Sequence, residues 1–536
     1  MHNNDRENNS GTDRYVGRRR FLRAVGVTGI ATGIAGCGGN EGDGSAGETG
    51  DGSDETASGD GGSGSTPTDS GGDTGGDGES GSTPTDSGGA TDTDGQTFDD
   101  VTLEYVSWPQ LANNADTVNQ WLHDAGMPQG ITVEFSNVFN VSGGARATYQ
   151  QWLSANRETP DLMEFDTGWT QPFIVRNQIL DLEENLPDDV VSKIKDDYFP
   201  EIVRSVTDGN GNLWAVPHFP DYPHIQYRKD LARQAGYDPE GNNWATTAMS
   251  WQRFAEVTAD VVSQTDASTG YLWQAASGLQ LASLVFNEYL SSWGGAYFGN
   301  PEENLFGPIG DRPVTVDEQP VVDSLKMGRS FIEGTTSNTL EDYATISPSS
   351  VYQGGPFPQF QEYQNGDTVM MRNFPFTLPT LGAEDQFGTD LGTMPLPHGV
   401  PEGEGNYPGT GGSVHTLGGW NVAVNPNSTN VAAAMEVLKA LTDETVMLNT
   451  WELFGWIPPM RSVFDTSDAR DVDILGRYVD TLLYAADNSL PRPATAIWTI
   501  QEQRVAQQAH DALRDRPPAE AMSKLKSQLQ TIENNY

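Results

Sequence analysis

The chain has one cysteine, Cys37, in 536 residues. That excludes an intramolecular disulfide framework and a zinc site built from thiolates. Basic residues are scarce as well: 30 Lys and Arg face 75 Asp and Glu, a net charge of −45. Nucleic acid is therefore excluded as a partner, because phosphate binding requires clustered cations that release counterions. Catalytic signatures are also missing: there is no G-x-S-x-G elbow, no P-loop, no H-E-x-x-H, and no dinucleotide-type glycine turn joining a strand to a helix. The uncharged run from Ala24 to Ala35 falls short of the ~20 residues that span a bilayer. No metal, cofactor or covalent chemistry is expected. The seven histidines are scattered, and His218 and His224 read as ordinary loop residues.

What the N-terminus does contain is ordered. Arg18-Arg19-Arg20-Phe21-Leu22 precedes the uncharged run, and Ile34-Ala35-Gly36-Cys37 follows it. The segment resembles a twin-arginine export signal joined to a lipobox, with residues 1–36 removed and Cys37 lipidated. Such a protein is anchored on the extracellular face of the membrane. Residues 37–98 are mostly Gly, Ser, Thr, Asp and Glu without a single Lys or Arg, and Ser65-Thr66-Pro67-Thr68-Asp69-Ser70-Gly71-Gly72 recurs from Ser82 to Gly89. So little apolar area cannot offset ordering entropy. The stretch is expected to be a disordered acidic linker with a reach of ~45 Å.

Residues 101–536 hold 56 acidic and 24 basic residues, a net charge of −32. Excess acid with little lysine resembles proteins of salt-loving archaea, whose ionic strength screens such self-repulsion. Patterning predicts strands at 102–108, 131–138 and 161–165, and helices at 116–125, 145–155, 431–442 and 499–514, with a last helix after Pro517-Pro518. This alternation reads as α/β with mainly parallel sheets. Aromatics recur beside Pro, Gly and polar residues: Ser107-Trp108-Pro109, Phe165-Asp166-Thr167-Gly168-Trp169, His218-Phe219-Pro220-Asp221-Tyr222, Asn373-Phe374-Pro375-Phe376 and Gly418-Gly419-Trp420-Asn421. Flat rings beside acids and amides suit a sugar, whose C–H faces stack while its rim hydroxyls need donors and acceptors.

Pro160-Asp161-Leu162-Met163-Glu164-Phe165-Asp166, Gly211-Asn212-Leu213-Trp214-Ala215-Val216-Pro217, Asn365-Gly366-Asp367-Thr368-Val369-Met370-Met371 and Thr416-Leu417-Gly418-Gly419-Trp420-Asn421 resemble the family 1 extracellular solute-binding proteins. The likeness is greatest to the trehalose/maltose-binding branch of sugar ABC importers. The resemblance implies a two-lobed, type II periplasmic-binding-protein-like fold with a ligand cleft at a multi-crossing hinge. By analogy the crossings lie near Pro217–Pro220, Pro395–His398 and Trp456–Pro459. The lobes are then 99–217 plus 398–456 and 218–397 plus 457–536.

The resemblance also implies ligand contacts for Asp166, Phe219, Asp221, Phe374, Phe376, Gly418, Gly419, Trp420 and Arg492. Trp108 is added from its place after the first strand. Phenylalanines at 219, 374 and 376 stand where relatives carry Trp or Tyr, which keeps stacking and drops polar contacts. Each residue also has a plainer role open to it: core packing for the aromatics, surface charge for Asp166 and Asp221, a structural ion pair for Arg492. Trp169 reads as packing beneath the loop. The expected protein is a monomer, not an enzyme, that passes a di- or oligosaccharide to ABC permease subunits. A secreted polysaccharide-active enzyme and a binder of a non-sugar solute are the alternatives.

Overall fold

The computed structural model describes residues 98–137 and 142–536. The export signal, Cys37 and the linker through residue 97 lie outside the described residues.

The first strands alternate with helices, as the apolar pattern requires. β1 (Val101–Val106), β2 (Ile131–Ser136) and β3 (Leu162–Asp166) are separated by helices Ala115–Asp124 and Ser142–Ser154. β4 (Val216–Asp221) and β10 (Gly418–Val424) complete a five-stranded sheet in the order β2-β1-β3-β10-β4. Here β1 pairs in parallel with β2 and β3, while β10 runs antiparallel to both β3 and β4. A second sheet, β6-β7-β5-β8, contains β5 (His224–Arg228), β6 (Thr269–Leu272), β7 (Thr368–Asn373) and β8 (Leu391–Met394). In it β5 is antiparallel to β7 and β8, and β6 is parallel to β7. A two-stranded ribbon joins β9 (His415–Thr416) to β11 (Ser489–Leu490).

Each sheet is thus mainly parallel with one reversed strand, and the cause is common to both. β5 and β10 are the first strands laid down after the chain crosses from the other lobe. They enter at the cleft, where the parallel strands end, and must run the opposite way. Each lobe has its own core. One packs Leu103, Tyr105, Phe165 and Val422 against helix Val431–Leu441 through Val437 and Leu438. The other joins Tyr271, Met370 and Met371 to Phe331 and to Val505 of helix Trp498–Arg514. Residues fully withdrawn from water contribute on the order of 1.5–3 kcal/mol apiece.

The crossings differ from those expected. Pro217 and Pro220 lie inside β4, paired with Asn421 and Gly419. An edge strand tolerates two prolines because half of its amides need no partner. The first crossing therefore falls later, at Tyr222-Pro223. Pro395–His398 is not a crossing. His398 N donates to Met249 O (2.9 Å), Trp251 N donates to His398 O (2.8 Å), and Gly399 N donates to Ser292 O (2.9 Å), which holds this stretch on the second lobe. The return comes at Leu417, between β9 and β10, so the expected boundary at 398 moves by about a strand and a loop. His415 Nδ1 donates to Pro223 O (2.7 Å) and ties the two crossings together; burial pushes this imidazole down to about 3, so it stays neutral. At the third crossing, Trp456 and Met460 pack in the first core while Ile457 and Phe464 pack in the second.

Gly419 has φ +112°, and a Cβ there would stand 2.3 Å from Phe219 O and 2.8 Å from Pro220 Cα. Both obstacles are backbone. Gly419→Ala is expected to destabilise the protein by about 2 kcal/mol or more, from strain plus displacement of β4. Denaturant unfolding at constant salt checks this, and a loss below about 0.5 kcal/mol would show that the strand relaxes freely.

Candidate ligand-binding site

A cavity of about 430 Å³ lies between the lobes, beyond the ends of the strands. All ten residues singled out from sequence line it: Trp108, Asp166, Phe219, Asp221, Phe374, Phe376, Gly418, Gly419, Trp420 and Arg492. The first lobe supplies Trp108 just past β1, Asp166 as the last residue of β3, Phe219 and Asp221 from β4, and the opening residues of β10. The second lobe supplies Phe374 and Phe376, just past β7. Parallel strands ending at a cleft bring side chains distant in sequence to one wall.

β10 sets the first wall. Its register places Trp420 opposite Asp166 on one side and Phe219 on the other. Trp420 meets Trp108 edge to face at 4.8 Å and 88°, and Trp169 stands behind it at 6.3 Å. Trp169 is 1 % exposed and packs on Phe165 and Phe173, a core position. Phe219 stacks on Trp456 at 4.3 Å and 12°. Gly418 lets β10 lie close against β4: a Cβ on it would stand 2.8 Å from Asp221 O, with the Phe374 ring of the facing lobe at 3.6 Å.

Asp166 is buried and fully engaged. Its Oδ1 accepts from Gly168 N (2.8 Å) and from the Arg492 guanidinium, and its Oδ2 accepts from Ser142 Oγ (2.8 Å). Arg492 also donates to Thr167 Oγ1 at 2.5 Å. The segment carrying Arg492 belongs to the second lobe, since Ala494 N donates to Leu305 O (3.0 Å) and Asn287 Nδ2 to Pro491 O (3.3 Å). The pair therefore bridges the lobes. A Cβ at Gly168 would lie 2.5 Å from Arg492 Cζ, so a larger residue there would push the guanidinium out of this position.

Three buried polar atoms of lining residues have no hydrogen-bond partner among the described residues: Arg492 Nε, Gln110 Oε1 and Gln280 Oε1. Unpaired buried groups cost roughly 1–3 kcal/mol each, which a hydroxylated ligand would offset. Gln280 opens a π-helical turn, Gln280–Val285, a local widening common at functional sites. Sequence reasoning missed Gln110 and Gln280, because no spacing rule marks which amide goes unpaired, and Ser142, whose partner Asp166 lies 24 residues further on. It treated Trp456 only as part of a crossing, although Trp456 lines the cavity too. Arg372, beneath Phe374, is neutralised: its Nε donates to Glu288 Oε2 at 2.6 Å. Among the described residues no group of three or more His, Cys, Asp or Glu is placed to hold a metal.

Burial pushes the Asp221 carboxyl up from 3.8 to about 7; Arg372 and Arg492 pull it down and Asp166 adds to the rise. Between those values the folded protein holds a proton that the unfolded chain has released. The unfolding free energy should therefore fall as pH rises from about 4 to 7 through this one group, with no further change above that window. Asp221→Asn removes the slope, so the wild-type-minus-variant difference in stability should change across that interval. Parallel pH profiles would show that Asp221 titrates normally.

The sequence profile of the bacterial extracellular solute-binding proteins matches residues 127–447. A Deinococcus radiodurans protein described as a probable ABC transporter-binding protein is 26 % identical over 369 residues, 68 % of this chain and 77 % of its own length. Among solved structures, maltose-bound MalE3 of T. maritima superposes with a TM-score of 0.66 at 23 % identity, over 80 % of this chain and 99 % of that one. The GacH receptor of Streptomyces glaucescens, solved unliganded and with acarbose, gives 0.61 at 20 % identity over 81 % and 99 %. These likenesses fix the fold as the two-lobed periplasmic-binding-protein type. With a profile match spanning well over half its length, the chain belongs to the bacterial extracellular solute-binding protein family.

Proposed function

We propose that this protein is the saccharide receptor of an ABC importer, taking up an uncharged di- or oligosaccharide by closure of the two lobes and presenting it to the permease without chemical change. The observation that carries the reading is the composition of the inter-lobe cavity. Trp108, Phe219, Phe374, Phe376, Trp420 and Trp456 line it, alongside a bridging Asp166–Arg492 pair and three unpartnered polar atoms. Rings stack on sugar C–H faces, and the polar atoms meet hydroxyls. An anionic ligand is a poorer match, because Arg492 and Arg372 are each paired with a carboxylate. Maltose in MalE3 and acarbose in GacH are ligands of the same kind.

The sequence supports the rest of the setting. Arg18-Arg19 and the lipobox ending in Cys37 fit export by the twin-arginine route and a lipid anchor on the outer face of the membrane. The acidic linker would hold the receptor, a monomer, clear of the surface. The low lysine content fits a salt-loving archaeal source.

A micromolar saccharide corresponds to about −8 kcal/mol of binding. Titration with a broad disaccharide and trisaccharide panel, followed by intrinsic tryptophan fluorescence, should give a saturable response for at least one sugar. Asp166→Ala and Trp420→Ala should each weaken that binding by about tenfold or more. The absence of any response across the panel would refute the reading.

A further inference from the structure

The cavity is lined by buried charged groups and by an exposed, uncharged segment. The charged lining groups, Asp166, Asp221 and Arg492, lie at the end where β3, β4 and β10 meet, and Asp166 and Arg492 are 7 % and 3 % exposed. The segment Gly354–Phe357 lines it as well and carries no charge. Phe357 is 48 % exposed, one of four large apolar side chains so exposed among the described residues, and of the four it alone lines the cavity.

This exposure is not fraying. Pro356 occupies the first turn of helix Pro356–Gln364, and its carbonyl accepts from Asn373 Nδ2 at 3.0 Å. Buried Gln359 donates to the Trp273 carbonyl and accepts from Gln274 Nε2 at 2.6 Å. The Phe357 ring sits 5.0 Å from that of Phe376 at 44°, and Phe360 backs Phe376 at 6.1 Å. Two glycines of the lining leave room within the cavity. A Cβ on Gly278, which also lines the cavity, would meet nothing within 4 Å, and one on Gly355 nothing nearer than 3.9 Å. A firmly anchored aromatic pair that lines the cavity, with one ring half in water, is a stacking platform.

We infer that Phe357, with Phe376, forms an outer stacking position for a further ring of an oligomeric saccharide, and that Phe357 sets the preference for ligand length. The terminal unit occupies the charged end, and the remainder leaves past helix Pro356–Gln364. This inference rests on the saccharide reading above, and its test separates the two.

Isothermal titration of the intact protein with maltose, maltotriose and maltotetraose, and with the matching cello-oligosaccharides, supplies the length series. In the series that binds, the trisaccharide should bind about fivefold tighter than the disaccharide. Phe357→Ala should reduce that ratio to below about twofold and leave disaccharide affinity within about twofold, while Phe357→Trp retains the ratio. An exposed side chain is replaced, so folding is preserved. A Phe357→Ala protein that keeps the length preference, or that loses affinity equally for every length, overturns the outer position alone. No binding by either series, with a response to another sugar of the fluorescence panel, overturns the outer position alone, and no response across that whole panel overturns the saccharide reading together with it.

Discussion

The site depends on one strand entering its sheet backwards. β10 comes from the second lobe, starts at the cleft, and inserts between β3 and β4 with its first residues where its neighbours have their last. That reversal puts Gly418, Gly419 and Trp420 level with Asp166, Phe219 and Asp221. The fit is possible only because Gly419 adopts a positive φ and leaves no side chain against the backbone of β4. The same reversal in β5 follows from the same cause, entry from the other lobe. Each crossing thus builds the hinge and at the same time starts a cavity wall.

Charge is spent sparingly in so acidic a protein, and arginines connect the lobes. Arg492 reaches Asp166 and Thr167, Arg146 reaches Glu502, Arg176 donates to Ala496 O (3.1 Å), and Arg204 donates to Glu302 O (2.6 Å). Partly exposed contacts of this sort contribute little individually, roughly 0–1 kcal/mol. The Asp166–Arg492 pair is different because it is buried. Its attraction is opposed by desolvation, and its Arg492 Nε remains unpartnered. A guest that supplies hydroxyls to that atom and to Gln110 and Gln280 adds bonds inside the closed form that water in an open cleft would otherwise provide. Such differential bonding is what shifts a two-state equilibrium toward closure.

Much of this was legible in the sequence, for identifiable reasons. Strand and helix alternation placed β1 to β3 and the helices around 431–441, 498–514 and 518–534 close to their observed bounds, because local periodicity reports which face is buried. The motif residues converge on one cavity because they sit at strand ends, where sequence position and site position coincide. The crossings were less legible. Proline marks an amide that donates no bond, and an edge strand such as β4 satisfies that condition as well as a hinge does. Gln110, Gln280 and Phe357 were invisible for another reason. Their significance lies in a missing partner or an exposed ring, and tertiary folding alone decides both.

The central claim is that two lobes enclose a neutral, polyhydroxylated guest between aromatic rings. Mass spectrometry of the protein purified from its own cells, comparing native with denaturing conditions, tests it most directly. The account predicts a non-covalent adduct whose mass resolves into neutral sugar units, present in the wild type and absent from Asp166→Ala and Trp420→Ala. A peptide, phosphate ester or metal chelate released from the same cavity, or an adduct that both variants retain, would contradict it.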